Sequence, residues 1–342
     1  MGDIIDLRSD TVTRPGEAMR RAMAEAAVGD DVWNEDPTVK RLQALAVEIT
    51  GKAAALFVPS GTMANQVALL SHCRPGDEVL LGWGSHCTNY EAGGAGALAG
   101  IQGREIGSGG MFTRDDVLAA LQPANVHFPP TRLVWIENTH NRGGGRVFPQ
   151  ARIAAIAELA RERGLAVHLD GARLFNAATA TGLSVAEILA PVGSASICLS
   201  KGLGAPVGSL LVGDDDFIAR AYRYRKMLGG GMRQVGIIAA AGIYALENHV
   251  ARLAEDHNNA RTIAETLAAC DRIEVIAPET NIVIFDLLDG APDAQSLIAA
   301  AAEHGVLLSQ FGPRRVRAVT HLDVSAEQCA RAATLVGSLS DP

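Results

Sequence analysis

Short apolar runs alternate with amphipathic helical segments along the middle of the chain, and this alternation limits the possible folds more than any other feature. Residues 150–163, for example, carry apolar side chains at helical spacing, and Gly164 ends the segment. A repeated strand–helix pattern predicts a mainly parallel sheet with helices on both of its faces. The strands predicted in this part of the chain are 54–58, 78–81, 132–137, 165–169, 195–199 and 209–212.

The two ends of the chain follow a different pattern. Residues 233–269 are predicted to be helical, and the remainder is predicted to form a smaller α+β domain. Its strands are expected at 274–276, 282–287, 306–309 and 316–320, and its helices at 294–304 and 325–339. Helices expected at 15–27 and 37–50 have no strand between them, so we expect them to pack beside the smaller domain. The predicted division is an N-terminal segment 1–48, a large domain 49–250 and a small domain 251–342.

Composition narrows the classes of function. A net charge of −8 disfavours non-specific binding to nucleic acid or to acidic membranes. The five cysteines are scattered and form no CxxC pair, so we expect no metal site and a reduced, cytoplasmic location. The start of the chain is charged and does not resemble a signal peptide, and no apolar window has the length of a membrane helix.

A single lysine stands between two apolar runs in the sequence ICLSKGLGAPVGSLLVG. This residue is Lys201, and glycines and a proline follow it closely. Desolvation of such an amine lowers its pKa and makes it nucleophilic, which suits imine formation with an aldehyde. The alternative is a lysine at a strand end whose ammonium extends to water.

Asp170 occupies the carboxyl end of the strand predicted at 165–169, in the sequence GLAVHLDGAR. Open α/β sheets bind their ligands at this edge. An aspartate there can pair with a protonated pyridine nitrogen while a lysine on a nearby strand holds an aldehyde. These are the two protein groups that pyridoxal phosphate (PLP) needs. Read alone, Asp170 could equally be a helix cap or a turn residue.

A phosphate cradle is predicted where PSGTMAN follows the strand at 54–58 and opens a helix. The backbone N–H groups around Gly61 and Thr62, together with the Thr62 hydroxyl, could bind a phosphate at this helix start. A short SGT motif is weak by itself. Combined with Lys201 and Asp170, it completes the set of roles that PLP requires.

Longer stretches carry a family resemblance. IDLRSDTVTRP, VGDDVWNEDPTV, FVPSGTMAN, HLDGARLFNA, ICLSKGLGAPVGSLLVG, RKMLGGGMRQ and VTHLD occur in order across nearly the whole chain. In these segments the sequence resembles the low-specificity L-threonine aldolases. The resemblance implies PLP dependence and the aspartate-aminotransferase fold (fold type I), in which a seven-stranded, mainly parallel sheet is joined to a smaller α+β domain. It also implies cleavage of β-hydroxy-α-amino acids to glycine and an aldehyde, and a homotetramer built from tight dimers.

The resemblance assigns the cofactor contacts residue by residue. Lys201 matches the Schiff-base lysine, and Asp170 matches the partner of the pyridine nitrogen. His86 matches a histidine stacked on the cofactor ring. Gly61 and Thr62 match the phosphate cradle.

The remaining matches concern the substrate and the neighbouring subunit. Ser9, Arg173 and Arg317 match a clamp on the substrate carboxylate, and Arg173 also matches a cofactor contact. Arg233 resembles an arginine that reaches a neighbouring subunit's phosphate. His127 matches a second active-site histidine. His86, His127 or a bound water is the candidate base for the β-hydroxyl proton, because imidazole titrates near neutrality.

Three segments depart from the family's usual sequence. The turn THNRGGGRVFP is longer than usual around residues 142–144, Trp33-Asn34 stands where Tyr-Gly is common, and Cys87-Thr88 follows His86. We expect these segments near the substrate entrance, where they would influence which substrate side chain the enzyme prefers. Other PLP lyases, such as a phenylserine-type aldolase or a β-eliminating lyase, stay open. A non-catalytic nucleotide-binding protein is disfavoured because neither GxGxxG after a strand nor GxxxxGK[ST] is present.

Overall fold

A seven-stranded sheet forms the centre of the protein in the computed structural model, which describes residues 4–341. The first three residues of the predicted segment 1–48 and the last residue of 251–342 lie outside this range. In chain order the strands are β1 (Ile5–Asp6), β2 (Ala54–Val58), β3 (Glu78–Gly82), β4 (Gln102–Ile106), β5 (Thr131–Glu137), β6 (Ala166–Gly171), β7 (Ser194–Cys198), β8 (Ser209–Gly213), β9 (Ile273–Ile276), β10 (Ile282–Leu287), β11 (Val306–Leu307), β12 (Ser309–Gln310) and β13 (Arg315–Val319).

Helices connect most of these strands, as the alternating pattern predicted. In chain order they are α1 (Glu17–Ala24), α2 (Pro37–Thr50), α3 (Gly61–His72), α4 (His86–Asn89), α5 (Gly94–Ala97), α6 (Arg114–Ala120), α7 (Gln150–Glu162), α8 (Leu174–Thr181), α9 (Val185–Leu189), α10 (Asp215–Met227), α11 (Gly236–Asn248), α12 (Leu253–Ala268), α13 (Ala294–Glu303) and α14 (Ala326–Ser340).

The central sheet has the order β2-β8-β7-β6-β5-β3-β4. Strands β3 to β7 pair in parallel, and β8 runs antiparallel to both of its neighbours, β7 and β2. The prediction of a mainly parallel sheet is therefore confirmed. Because β2 and β7 run in the same direction, their carboxyl ends lie at one edge together with those of β3, β5 and β6.

A second sheet and its own hydrophobic core form the C-terminal part. Strands β12, β13, β10 and β9 pair antiparallel, and α12, α13 and α14 contribute buried residues to the core beside them. This core is separate from those that pack on the two faces of the central sheet. The smaller α+β region has most of the elements that the sequence predicted. The single strand expected at 306–309 is instead two short strands, because β11 pairs with β1 and β12 pairs with β13. The boundary at residue 250 stays a prediction.

The N-terminal helices correct one expectation. Helices α1 and α2 were expected beside the small domain, but they pack on α11, and α2 also packs on β2. The reason is their apolar stripe: Met19, Val39, Leu42 and Ala46 are buried in the core of the large sheet. The stretch around the short strand β1 does join the C-terminal part: β1 pairs in parallel with β11, and the Leu7 carbonyl accepts a hydrogen bond from the Val319 amide.

Three further observations bear on the expectations from composition. No helix within residues 4–341 is both long and apolar enough to cross a membrane. All five cysteines are free thiols. Across the same residues, no cluster of three or more His, Cys, Asp and Glu side chains is arranged to hold a metal ion.

Candidate active site

The carboxyl edge of the central sheet carries a cavity of about 220 Å³ lined by residues from distant parts of the chain. Strand register places Asp170 beside Glu137 on one side and Ser196 on the other. Lys201 lies three residues beyond the end of β7, the strand that carries Ser196. The structure therefore brings Asp170 and Lys201 to one cavity, as expected for residues that follow neighbouring parallel strands.

The start of α3 lines the same cavity. Gly61 and Thr62 are its first two residues, and the hydroxyl of Ser60 caps the helix by accepting a hydrogen bond of 3.1 Å from the Met63 amide. Free amides at the first turn of a 12-residue helix favour an anion. The Ser209 hydroxyl also lines the cavity and is buried without a hydrogen-bond partner among residues 4–341. An unsatisfied donor at this position fits a bound phosphate.

The Asp170 carboxylate is only 2% exposed and is held from two sides. Its Oδ2 accepts a hydrogen bond of 2.8 Å from Asn65 Nδ2, and its Oδ1 accepts one of 3.1 Å from the Ala172 amide. Lys201 is half-buried, and its ammonium makes no hydrogen bond or ion pair with the part of the chain that the structure describes. The cavity thus presents a fixed carboxylate and an uncommitted amine.

His86 begins the short helix α4 and is fixed by two buried carboxylates. Its backbone amide donates to Glu137 Oε2 at 2.8 Å, and its ring Nδ1 donates to Glu91 Oε1 at 2.9 Å. Burial alone would lower the pKa of His86, but the hydrogen bond to Glu91 and the charge of Asp170 outweigh it and raise the pKa above 6.5. With Nδ1–H donated to Glu91, the neutral ring keeps Nε2 as its acceptor.

Asn65 connects the His86 pair to Asp170. Its Nδ2 donates to Glu91 Oε1 at 2.7 Å as well as to Asp170, and its Oδ1 accepts from Ser196 Oγ at 3.0 Å. Neither Glu91 nor Asn65 was predicted from the sequence as a site residue. The only sequence signal for Glu91 was its position five residues after His86 and two before the pair Gly93-Gly94, and a spacing of five corresponds to no regular helix face.

Arg173 already has a carboxylate partner. Its Nε and Nη2 each donate to the carboxylate of Asp10 at 2.7 Å, and both residues are buried. Burial alone would raise the pKa of Asp10, but the charge and hydrogen bonds of Arg173 lower it to about 2. The charge of Arg173 is therefore already paired with a carboxylate, and its Nη1 lies 3.4 Å from Asn141 Oδ1.

Arg317, on β13, reaches the same asparagine. Its Nη1 donates to Asn141 Oδ1 at 3.1 Å and its Nη2 to the Arg8 carbonyl at 3.0 Å. Its Nε is buried and has no partner among residues 4–341. Burial and the nearby charge of Arg173 lower the pKa of Arg317 to about 10, which still leaves it charged at neutral pH. Of the two predicted clamp arginines, Arg317 has the larger free hydrogen-bonding capacity.

Ser9 lies in the sequence between a partner of Arg317 and a partner of Arg173. It follows Arg8 and precedes Asp10, and its hydroxyl accepts hydrogen bonds from the amide and the hydroxyl of Thr11. Thr11 itself lines the cavity. The structure thus brings the segment around Ser9 to the site, although the Ser9 hydroxyl is engaged in capping the turn at residues 10–12.

Five predicted residues do not line the cavity itself. Ser9, Arg173 and Arg317 are linked to it through the contacts described above, whereas His127 and Arg233 are not. His127 is exposed in the connection that precedes β5, so it lies at the amino edge of the sheet, about 20 Å from the carboxyl edge by the length of one strand. The Arg233 side chain is 58% exposed and pairs with Asp30 at 3.2 Å. His127 is therefore remote from Asp170, and the Arg233 side chain is largely exposed to solvent in a single subunit.

Comparisons with known proteins agree with this geometry. The sequence matches the family described as β-eliminating lyase over residues 6–289. It is 51% identical over 332 residues to the low-specificity L-threonine aldolase of Escherichia coli K12, covering 96% of this chain and 97% of that protein. It is 42% identical to low-specificity L-threonine aldolase 1 of Arabidopsis thaliana, covering 94% and 92% of the two chains.

Solved structures show the same fold. The structure of a threonine aldolase from Leishmania major superposes with a TM-score of 0.84 at 21% identity, covering 98% of this chain and 99% of that one. At this identity the likeness establishes the fold, and the sequence relatives establish the family. The protein is a lyase: it belongs to the β-eliminating lyase family and, within it, to the low-specificity L-threonine aldolases.

Proposed function

We propose that the protein is a PLP-dependent aldolase that cleaves L-threonine, L-allo-threonine and related β-hydroxy-α-amino acids to glycine and an aldehyde. The observation that carries the proposal is the single cavity in which Lys201 has an uncommitted amine and Asp170 a buried carboxylate. The names of the relatives point to the same reaction.

The residues of the cavity fit PLP. The amides of Gly61 and Thr62 and the unsatisfied Ser209 hydroxyl would hold the phosphate. Asp170 would hold the pyridine nitrogen in its protonated form, and Lys201 would hold the aldehyde carbon. When bound, PLP supplies the electron sink that accepts the electron pair left on Cα when Cα–Cβ breaks.

His86 is the best-placed base for the β-hydroxyl proton. Its Nε2 carries the lone pair because Nδ1–H is donated to Glu91. The raised pKa makes the imidazole a stronger base. His127, the alternative from sequence, lies outside the cavity of the same chain. Arg317 would orient the substrate through its carboxylate and so select Cα–Cβ for cleavage.

Product analysis tests the proposed reaction. With L-threonine and added PLP, we expect equimolar glycine and acetaldehyde. Release of ammonia and an oxo acid in place of these products would instead identify a β-eliminating lyase, and no turnover of any β-hydroxy-α-amino acid would overturn the proposal.

A homotetramer built as a dimer of dimers is part of this proposal. Arg233 and Trp33 share one surface region, because the Asp31 amide donates to the Arg233 carbonyl. Trp33 is 73% exposed, and the exposed Tyr222 lies in the same region, since its hydroxyl donates to the Val32 carbonyl; adjacent exposed rings favour an interaction surface. We propose that Arg233 reaches the phosphate of a neighbouring subunit there. Sedimentation should show a tetramer, and a monomer with full activity would contradict this arrangement.

We also propose that the protein works in a reduced compartment, the cytoplasm. Its ligand there is a small amino acid, and it binds neither nucleic acid nor a membrane. The free thiols fit this location. The net charge of −8 fits a protein that avoids polyanionic surfaces.

Replacing Glu91 with glutamine should change how activity depends on pH. The hydrogen bond to Glu91 raises the pKa of His86, so the Glu91→Gln variant should have a lower His86 pKa. Since the base works in its neutral form, the acid limb of the kcat/KM profile should move to lower pH, and the maximal rate should fall about tenfold because the base is weaker. Gln66 can stabilise the glutamine introduced in Glu91→Gln. Its Oε1 is buried without a partner among residues 4–341 and can accept a hydrogen bond from the side-chain NH₂ of the introduced glutamine.

The matched control for this pH profile is Glu105→Gln. Glu105 is an exposed carboxylate that bonds the Gly84 amide close to α4, but it does not touch the His86 ring. Its variant should keep the wild-type profile. The charged groups that act on His86 besides Glu91 are Asp170 and Lys201, and both remain in either variant. An unchanged acid limb in Glu91→Gln would show that His86 is not the base.

Replacing Arg317 with lysine should affect both steady-state constants. The guanidinium bonds Asn141 and the Arg8 carbonyl and keeps Nε free, an arrangement that a lysine cannot reproduce. We expect KM for threonine to rise about tenfold and kcat to fall, with the PLP absorption unchanged. Arg315→Lys is the control, because Arg315 lies on the same strand but pairs with Asp286. Wild-type KM and kcat in Arg317→Lys would show that another residue binds the substrate carboxylate.

A further inference from the structure

A third arginine, Arg142, lies beside the cavity without lining it, in the turn that is longer than in the resembled family. It is half-buried, and its Nη1 donates to the hydroxyl of Tyr90 at 2.8 Å. Its guanidinium also stacks over the ring of Phe311, 4.8 Å from the ring centroid. The side chain is therefore held in one position by two aromatic residues.

Arg142 is packed closely against the turn that leads into His86. A Cβ atom added at Gly84 would lie 2.9 Å from Arg142 Cγ, so the glycine at this position makes room for the arginine. Tyr90, which Arg142 contacts, lies with its ring centroid 5.5 Å from that of His86. Arg142 thus lies on the same side of the site as His86, with Tyr90 between them.

The same phenylalanine connects Arg142 to the carboxylate clamp. The guanidinium of Arg317 lies 5.0 Å from the Phe311 centroid. Asn141, the chain neighbour of Arg142, bonds both Arg317 and Arg173. The Arg142 and Arg317 guanidinium carbons can therefore be no more than about 10 Å apart, a span that a four-carbon dicarboxylate can bridge with a charge-assisted hydrogen bond at each end.

The positive charges of these arginines are not all balanced by carboxylates. Asp10 neutralises Arg173, and the α-carboxylate of a substrate would pair with Arg317. Arg142 has no carboxylate within ion-pair distance among residues 4–341. The nearby carboxylates are engaged elsewhere: Glu137 accepts from the amides of His86 and Asn141, and Glu105 accepts from the Gly84 amide and the Asn89 side chain. A half-buried guanidinium without a counter-charge favours binding of an anion.

We propose that Arg142 binds a carboxylate on the β-carbon of the substrate, so that the site accepts β-hydroxy-α-amino dicarboxylic acids such as 3-hydroxyaspartate. The reaction breaks the same Cα–Cβ bond as in threonine. The β-hydroxyl loses its proton, its oxygen becomes the carbonyl of glyoxylate, and Cα gains a proton to give glycine. This inference rests on the proposed aldolase function and adds a substrate class to it.

The kinetic test compares two substrates on one preparation of the holoenzyme. The wild type should cleave L-3-hydroxyaspartate, and Arg142→Gln should lower the ratio of kcat/KM for hydroxyaspartate to that for threonine at least about tenfold, the scale of one lost charge-assisted contact. In Arg142→Lys, which retains a positive charge, the ratio should fall less than in Arg142→Gln. Arg146→Gln, four residues later and paired with Glu279, should leave it unchanged.

The ratio of the two kcat/KM values separates substrate recognition from a structural defect near His86, because such a defect would lower the turnover of both substrates alike. If Arg142→Gln lowered turnover of both substrates by the same factor, Arg142 would be structural and the inference would be wrong. The inference would also be wrong if the wild type did not cleave hydroxyaspartate while it cleaved threonine.

A binding measurement keeps the test separate from the proposed function. L-Aspartate has both carboxylates but no β-hydroxyl, so it cannot undergo the retro-aldol reaction. Calorimetry on the holoenzyme should show that Arg142→Gln weakens L-aspartate at least about tenfold more than L-alanine. If the wild type failed to cleave threonine, the proposed function would fail, and this comparison alone would decide the inference. Equal weakening of both ligands would overturn it.

Discussion

Lys201→Ala should abolish nearly all turnover of threonine and remove the absorption band of the lysine-bound cofactor. Lys201 is the one lysine that lines the cavity with Asp170, and its ammonium is not committed to a partner within residues 4–341. Loss of a covalent-catalysis residue typically costs several orders of magnitude in rate. We expect PLP to stay bound through the start of α3 and Ser209, so cofactor content should fall less than activity.

Lys52→Ala is the matched control for this variant. Burial lowers the pKa of Lys52, so it has the property expected of a nucleophilic lysine, but its Nζ donates to the Val192 carbonyl away from the cavity. This variant should keep the absorption band. Wild-type turnover in Lys201→Ala, or loss of the band only in Lys52→Ala, would show that the lysine assignment is wrong.

Asp170→Ala should lower kcat by at least about 100-fold, the general scale for removing a preorganised charge from an active site. Without the carboxylate, the pyridine nitrogen is no longer held protonated, and the electron pair on Cα is less well stabilised. Retention of PLP should also weaken. Activity assays and cofactor absorption at saturating PLP separate the loss of rate from the loss of binding.

Asp170→Asn distinguishes charge from shape. An asparagine fills the same volume and can still accept a hydrogen bond from Asn65, so the packing at the end of β6 is largely kept. We expect a loss close to that of Asp170→Ala, since the charge is the common change. Full activity in either variant with normal PLP content would remove Asp170 from the proposed role.

The sheet edge that holds the site could be predicted from the sequence because it follows from local rules. Asp170 and Lys201 each follow a buried apolar run, and parallel strands bring such ends to one edge. The strand β4 was missed because Gln102–Ile106 is a largely exposed edge strand with a glycine inside it. Its structure depends on pairing with β3, which a local pattern does not reveal.

The partners of the site residues could not be predicted in the same way. Arg173 pairs with Asp10, which is 163 positions away in the chain. The side chain of Asn141 bonds two arginines that were both expected to be free for the substrate. Such contacts depend on how the N-terminal segment and β13 close over the sheet edge, and residue type does not encode that closure.

His127 shows a different limit. Its match to an active-site histidine came from the family resemblance, while the fold of one subunit places it at the other edge of the sheet. A role for His127 therefore stays a prediction that requires a second subunit. The two N-terminal helices were misplaced for a simpler reason: the absence of a strand between them says nothing about which core receives their apolar faces.

Borohydride reduction of the PLP-loaded protein, followed by peptide mass spectrometry, tests the central claim most directly. The chain contains four lysines, Lys40, Lys52, Lys201 and Lys226, so the position of a reduced cofactor is easily assigned. We predict that the peptide containing Lys201 carries the added mass of reduced PLP and that the peptides containing the other three do not. Labelling at Lys52 or another lysine in place of Lys201, or no labelling of a protein that is active with PLP, would contradict the account.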